Sequence, residues 1–317
     1  MANDVENRSK NMVLGALVAD AATMGLHWIY DQDHIRKMVP DAPEFTPPRA
    51  ENYDGVPAYF AHPDRNVGQQ SQYGEQLIVM QRALAQNDGV FDLRTYITAF
   101  CAHFGYGGTY VGYIDHATRG SLDNYGQAED DKLAETRGAV DVQMPAIAKL
   151  PGLIPALWAH KISGDAFDAT VDDAVRATSD HPEARAYGRI CAHMLAAALY
   201  ADDIKDVIDA GRAVAEGEAL SRLNEALAMT DQDTNAATKH FGMACDLSYG
   251  VPSVTHNLSK TPSFRMAVRN NIYAGGDNCG RAMLLGAILG ALHGLGGENG
   301  IPPEWLDKLA VTDVYFN

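Results

Sequence analysis

The stretch Ala274-Gly275-Gly276-Asp277-Asn278-Cys279-Gly280-Arg281 concentrates more chemistry than any other part of this chain. Gly275 and Gly276 let a backbone come close to a ligand, and Asp277 and Asn278 supply oxygens where a small-residue helix begins. Polar groups converging on a helix start suit a small anionic or sugar-like ligand. Asp277 orients a water, holds a sugar hydroxyl or binds a cation, or else it caps the helix. Cys279 is either a thiol whose pKa the helix dipole lowers, able to attack a substrate, or a small packed hydrophobe. The nucleophilic role needs an activating base, for which His27, His116 and His181 are the candidates. Arg281, one turn into the helix, either reaches a phosphate or carboxylate or is ion-paired at the surface.

Two further acids belong with this group. Glu75, in Tyr73-Gly74-Glu75-Gln76, reads as a general acid or base whose pKa is raised by facing Asp277, or more plainly as a first-turn acid of a helix. Asp20 lies among Ala19, Ala21 and Ala22 on an apolar helix, where a carboxylate needs a partner or a wet cleft. Tyr106, Tyr110 and Tyr113 on a glycine-rich stretch offer rings for stacking.

Composition narrows the partners. The 317 residues are 46% hydrophobic, and 41 acidic against 25 basic residues leave a formal charge of −16. Such a field repels nucleic acids and acidic membranes, while local N–H groups and one arginine still suffice for a small anion. The four cysteines, Cys101, Cys191, Cys245 and Cys279, are far apart, which argues against a zinc ribbon and a disulfide framework and for thiols in a reducing cytosol. The acidic, polar start lacks the basic and apolar regions of a signal peptide, and no apolar run reaches the roughly 18 residues of a spanning helix. A soluble, cytoplasmic protein is expected.

The elements that must position these residues are helical. Apolar residues repeat at helical spacing in Val13-Leu14-Leu17-Val18, in Leu77-Ile78-Met80-Leu84 and from Phe91 to Phe104. The clearest helix covers 178–201, capped by Ser179 or Asp180 with Pro182 in its first turn. Others are expected near 141–150, 168–178, 202–216, 217–229, 233–246 and 262–273. Six prolines make 39–68 a long irregular excursion, of the kind that often carries function. Gly15, Ala16 and Ala19 in the first helix, with Gly286, Ala287 and Gly290 in the last long one, predict a close central pairing that brings Asp20 near Asp277. Nothing marks a domain boundary, so 1–317 reads as one all-α domain.

With these motifs the chain resembles the ADP-ribosylglycohydrolase superfamily, and within it the J-crystallin-like branch. The likeness rests on Gly15-Ala16-Leu17-Val18-Ala19-Asp20-Ala21, Tyr73-Gly74-Glu75-Gln76, Gly275-Gly276-Asp277-Asn278-Cys279 and Ile301-Pro302-Pro303-Glu304-Trp305, in order over almost the whole length. It implies a single orthogonal helical bundle with a cleft where the first, third and last long helices meet. Hydrolytic members hold two magnesium or manganese ions on a Thr-Asp-Asp-Thr-Gln run and a Gly-Gly-Asp-x-Asp-Thr run. Here Gln72, Tyr73, Gly74 and Glu75 fall on the first four positions of the former, and Cys279 and Gly280 on the last two of the latter. Hard cations need several oxygens, so the dinuclear centre is not expected, which leaves room for at most a single magnesium or manganese ion.

The expected activity is therefore hydrolysis of an N-glycosidic or amide-type bond in a small ligand, ADP-ribose-like by the resemblance, through water activated by Glu75 and Asp277. Cys279 joins them as a catalytic candidate. Asp20, Gln72, Tyr73, Gly275, Gly276, Asn278 and Arg281 are the candidate substrate contacts. The contrasting expectation is a non-enzymatic crystallin-like scaffold or metabolite-binding protein.

Overall fold

A computed structural model describes residues 2–261 and 263–310, with side chains from Asp4 onward. The chain runs through α1 (Ala2–Thr23), α2 (Gln32–Met38), α3 (Gln72–Gln86), α4 (Leu93–Phe104), α5 (His116–Gly126), α6 (Leu150–Ala159), α7 (Asp165–Arg176), α8 (Pro182–Ala198), α9 (Ile204–Ala213), α10 (Gly217–Ala228), α11 (Thr234–Phe241), α12 (Leu247–Lys260), α13 (Phe264–Tyr273), α14 (Asn278–His293) and α15 (Pro303–Leu306). Among the described residues strand pairing is limited to isolated bridges such as Ile29 with Ala58. The all-α class is as expected. No described helix is long and apolar enough to cross a membrane.

Aspartate side chains cap α2, α4, α5, α9, α11, α12 and α14, each accepting from a first-turn amide. Part of the acidic surplus thus sits where helix dipoles stabilise it, at about 1 kcal/mol per cap.

The pairing of α1 with α14 is the centre of the bundle, and its small residues explain it. A Cβ on Gly15 would lie 2.2 Å from the Gly286 carbonyl oxygen, and one on Gly290 would lie 2.3 Å from that of Asn11. The two backbones therefore touch, and every residue of α14 from Asn278 to Ala291 is buried. A helix covered on all sides has no polar face, so its few polar groups must find partners inside.

Two helical expectations are corrected, and one helix, α12, was not among those expected. Segment 141–150 forms only a 3₁₀ turn at Met144–Ala146, because Pro145 and Pro151 favour a turn and then a helix start at Leu150. The cap of α8 is the His181 side chain, which accepts from the Glu183 amide at 3.2 Å, while Asp180 pairs with Arg176 at 3.0 Å. Helix α12 forms despite Pro252. That proline cannot donate to the Ser248 carbonyl, and the Arg222 guanidinium donates to it instead at 3.4 Å.

Segment 39–68 is irregular as expected, with one 3₁₀ turn at Ala50–Tyr53. It is tied to the bundle through the Phe45 amide, which donates to Ala22, and through Tyr30, which donates to Pro57.

Candidate functional site

Asp20, at the last turn of α1, is fully buried, and Ser71 donates to it twice, from its amide at 2.8 Å and its hydroxyl at 2.5 Å. The same Ser71 hydroxyl caps α3 by accepting from the Tyr73 amide. Burial outweighs these hydrogen bonds and lifts the Asp20 pKa to about 7. Gly74 leaves the room this needs, since a Cβ there would lie 2.5 Å from an Asp20 carboxylate oxygen.

Asp277 caps α14 from a fully buried position. One of its oxygens meets His27 Nε2 at 3.0 Å, and His27 Nδ1 meets His62 Nε2 at 2.8 Å. Burial lowers the pKa of His27 against the pull of Asp277, and lowers that of His62 well below the usual range. With both rings neutral and the Asp277 carboxylate accepting from His27 Nε2–H, His27 Nδ1 accepts from His62 Nε2–H. His62 Nδ1 is then a bare lone pair, and it has no partner. Asn278 Oδ1 and Arg281 Nη1 are likewise buried without hydrogen-bond partners, while the Tyr73 side chain meets Asp277 and Cys245, and Trp28 meets Cys245. Unsatisfied buried groups are rare, and several around one carboxylate–imidazole pair mark a polar binding site.

Glu75 is turned away from the arrangement expected of it. Arg65 holds one of its oxygens at 3.2 Å and His103 Nε2 the other at 2.9 Å, so Glu75 anchors the roof of the site. His103 Nδ1 in turn meets the Thr109 hydroxyl at 2.7 Å, and the Arg65 guanidinium lies 4.3 Å from the Tyr110 ring centroid. Arg65 keeps Nε and Nη2 buried and unpartnered. Above His27, the Trp28, Tyr59 and Tyr113 rings touch one another, with the Trp28 and Tyr113 centroids 5.0 Å apart. Tyr110 and Tyr113 thus face the junction, whereas Tyr106 is fully exposed on the far side of its loop.

Of the two readings of Cys279, its surroundings match the small packed hydrophobe and not the activated thiol. The thiol is fully buried against Asp20, and burial together with the charges of Asp20 and Asp277 pushes its pKa well above the ordinary value, overriding the helix dipole. Arg281 is corrected. It is buried and folded back, with Nε donating to Asn271 Oδ1 at 2.9 Å and Nη2 to the Gly275 carbonyl. Gly275 and Gly276 adopt positive φ of 68° and 60° and bring the backbone close to the chain's own atoms. A Cβ on Gly276 would lie 2.1 Å from the Met243 oxygen, and the Gly276 amide donates to Ile29 at 2.7 Å. Asn278 donates to the Leu26 carbonyl, and Gln72 accepts from the Asp115 amide, so both tie elements together. His116 pairs with Asp141 at 3.5 Å from an exposed position, far in role from the site.

His62, Arg65, His103 and Cys245 were missed by sequence reasoning. Cys245, half-buried, neighbours Trp28, Tyr73 and Asp277, and its thiol is pushed well up by burial. The one usable signal was the proline-rich excursion 39–68, which carries His62 and Arg65.

The fold is that of an all-α bundle, with a carboxylate–imidazole pair at the start of its central helix. The family model for ADP-ribosylglycohydrolase matches residues 1–315, and the chain belongs to that family. It is similar to Crystallin J1A of Tripedalia cystophora, 25% identical over 321 residues covering 96% of this chain and 93% of that protein. Crystallin J1B of the same organism is 24% identical over 323 residues, covering 96% and 92%. Among solved structures the chain resembles an ADP-ribosylglycohydrolase-related protein complex, with a TM-score of 0.70 at 17% identity over 97% of this chain and 93% of that one.

Proposed function

We propose that this protein binds a small polar ligand, ADP-ribose-like in chemistry, at the His27–Asp277 junction. There it hydrolyses an N-glycosidic or amide-type bond without a dinuclear metal centre. The observation that carries this reading is the buried chain from Asp277 through His27 to the unpaired Nδ1 of His62. A neutral imidazole backed by a second imidazole and a carboxylate is a general base, because the positive charge it gains is stabilised by the chain behind it. His62 takes a proton from water, the water oxygen bonds to the electrophilic carbon, and the carbon–nitrogen bond breaks. The departing nitrogen takes that proton back from His62, which returns the chain to its neutral state. The two unpartnered nitrogens of Arg65 suit a phosphate or carboxylate on the ligand.

The donor set supports a metal-independent route. Both oxygens of Asp20 accept from Ser71, both of Glu75 are held by Arg65 and His103, and one of Asp277 is held by His27. One remaining carboxylate oxygen falls short of the several that a pair of hard cations requires, leaving scope for a single magnesium or manganese ion only. Among the described residues no three His, Cys, Asp or Glu side chains are grouped to hold a metal.

A non-enzymatic, metabolite-binding or crystallin-like role is the second reading. Complete burial of Asp20, Asp277, Asn278 and Cys279 favours it, as do the two relatives named crystallins.

The test is to incubate the protein with ADP-ribose and a panel of N-glycosides, with and without EDTA, and to follow both product release and melting temperature. Turnover that survives EDTA and is lost in His62→Ala is the expected result. A ligand at about a hundred times its dissociation constant adds about 2.7 kcal/mol of stability. Ligand stabilisation without turnover selects the binding role, and turnover abolished by EDTA sinks the metal-independent reading.

A further inference from the structure

A cavity lies away from the polar junction, between α4, α5 and the segment that follows α5. Its volume is about 970 Å³, and its walls include Cys101, Phe104, Ile114, Leu122 and Leu133. That volume is at the upper end of the roughly 300–1,000 Å³ typical of small-molecule sites. The apolar wall residues are half-buried or buried, so the hollow is a continuation of the core opened to solvent.

Two arginines give it anion-binding groups. Arg94 and Arg119 both line the cavity from exposed positions. The Arg94 guanidinium donates to the Asp130 carbonyl at 2.6 Å and the Arg119 guanidinium to the Ile114 carbonyl. These are backbone contacts, and the Arg119 guanidinium also lies 5.9 Å from the Tyr113 ring centroid, so each arginine keeps further N–H groups for a ligand. Asp123 and Asp130 line the cavity too, yet neither closes an ion pair onto these arginines. In a chain with 16 more acidic than basic residues, two such guanidiniums over one apolar hollow are a local exception. Guanidinium recognises carboxylate, sulfonate and phosphate through paired N–H groups, and an apolar wall beneath adds burial of a hydrophobic body.

We propose that this cavity is a second binding site, for a small organic anion with an aromatic or branched apolar body, its acid group between Arg94 and Arg119. Independent of the junction, the site is nonetheless connected to it. Phe104, Tyr106 and Ile114 line the cavity, and the loop between them carries Thr109, Tyr110 and Tyr113, which contact His103, Arg65 and Trp28 on the other side. Occupancy therefore braces the loop that roofs the junction.

The test uses anilinonaphthalene sulfonate as the anionic probe and phenylnaphthylamine as its uncharged counterpart, on the full chain, with each variant checked for an unchanged melt. The sulfonate is expected to bind saturably, and the double substitution Arg94→Ala with Arg119→Ala to weaken it at least about tenfold while barely affecting the amine. Leu122→Trp, which fills the hollow, should remove both. Bound probe should also slow maleimide labelling of Cys101, a half-buried residue of the cavity wall, read by peptide mass spectrometry. Affinity unchanged in both variants overturns the proposal, as does equal weakening of the charged and uncharged probes. Cys101 labelling unchanged at saturating probe would place the probe elsewhere and overturn it too. So would self-association that Leu122→Trp abolishes in a protein that binds no probe, because a second copy would then be the occupant.

Discussion

The floor and the roof of the polar junction are built on different principles. The floor is α1 against α14, two helices whose glycines let backbone meet backbone, with Asp20, Cys279 and Asp277 sealed between them. The roof is made of side chains from segments of no regular structure: His62 and Arg65 from the proline-rich excursion, Thr109, Tyr110 and Tyr113 from the glycine-rich loop. Floor contacts are set by main-chain geometry and tolerate nothing larger. Roof contacts are hydrogen bonds and ring contacts worth about 1 kcal/mol each, which can change one at a time. A family fold can therefore persist while the chemistry above it drifts, because of the groups in the proposed chain only Asp277 also holds the frame, as the cap of α14.

The comparison breaks first if the floor accepts a side chain. Gly286→Val places a branched carbon where a Cβ alone would be 2.3 Å from the Gly15 oxygen and 2.5 Å from the Ala19 Cβ. Main chain cannot rotate out of the way, so the loss should exceed the roughly 1–3 kcal/mol of ordinary overpacking, or the chain should fail to fold. At Gly126, the last residue of α5, a Cβ meets nothing within 4 Å, and Gly126→Ala should be nearly neutral. Urea denaturation of both gives the answer, and similar midpoints would mean that α1 and α14 are not the rigid floor.

The buried acid of the floor sharpens the contrast through pH. The folded-state pKa of Asp20 is raised from 3.8 to about 7, chiefly by burial. A raised carboxyl contributes stability that is fully present below its unfolded pKa and is lost as pH climbs through the folded one. A side-chain amide does not titrate, so the stability of Asp20→Asn relative to the parent should improve between about pH 5 and pH 8, by on the order of 3 kcal/mol. Denaturation curves across that range check it. A constant difference at every pH would show Asp20 to be ionised throughout and the floor to be wetter than its burial indicates.

The same division explains what the sequence could reveal. Gly15, Ala19, Gly286 and Gly290 announced the central pairing because small residues at helical spacing have few other uses, and Asp277 was read as a possible cap of the last long helix. Roof residues carry no such spacing. His62 and Arg65 sit in an aperiodic stretch, and only the folded chain brings them to His27 and Glu75. The sequence alone leaves Cys279 with two readings because its environment is set by Asp20, more than two hundred residues away along the chain, rather than by its own helix. Arg281 was misjudged because Asn271 and Gly275 turn it inward across a tight bend. Helix α12 was hidden by Pro252, whose cost is offset by Arg222 from another helix.

The smallest effect separates Glu75 from the floor that its helix borders. Glu75→Gln keeps the shape and removes the charge, so Arg65 and His103 lose a charged acceptor while the main chain is untouched. Charge-assisted hydrogen bonds at a mostly covered site imply a loss of about 1–2 kcal/mol, well below that of Gly286→Val. The larger consequence should be local, because Thr109 holds the loop through His103 and Tyr110 holds it through Arg65, and both anchors act through Glu75. Proteolytic cleavage around Gly107, Gly108 and Gly112 should therefore accelerate several-fold while global unfolding shifts little. Asp20→Asn, acting on the floor, should leave that cleavage rate alone. Cleavage unchanged in Glu75→Gln, with global stability falling instead, would make Glu75 part of the frame and erase the distinction between a fixed floor and an adjustable roof.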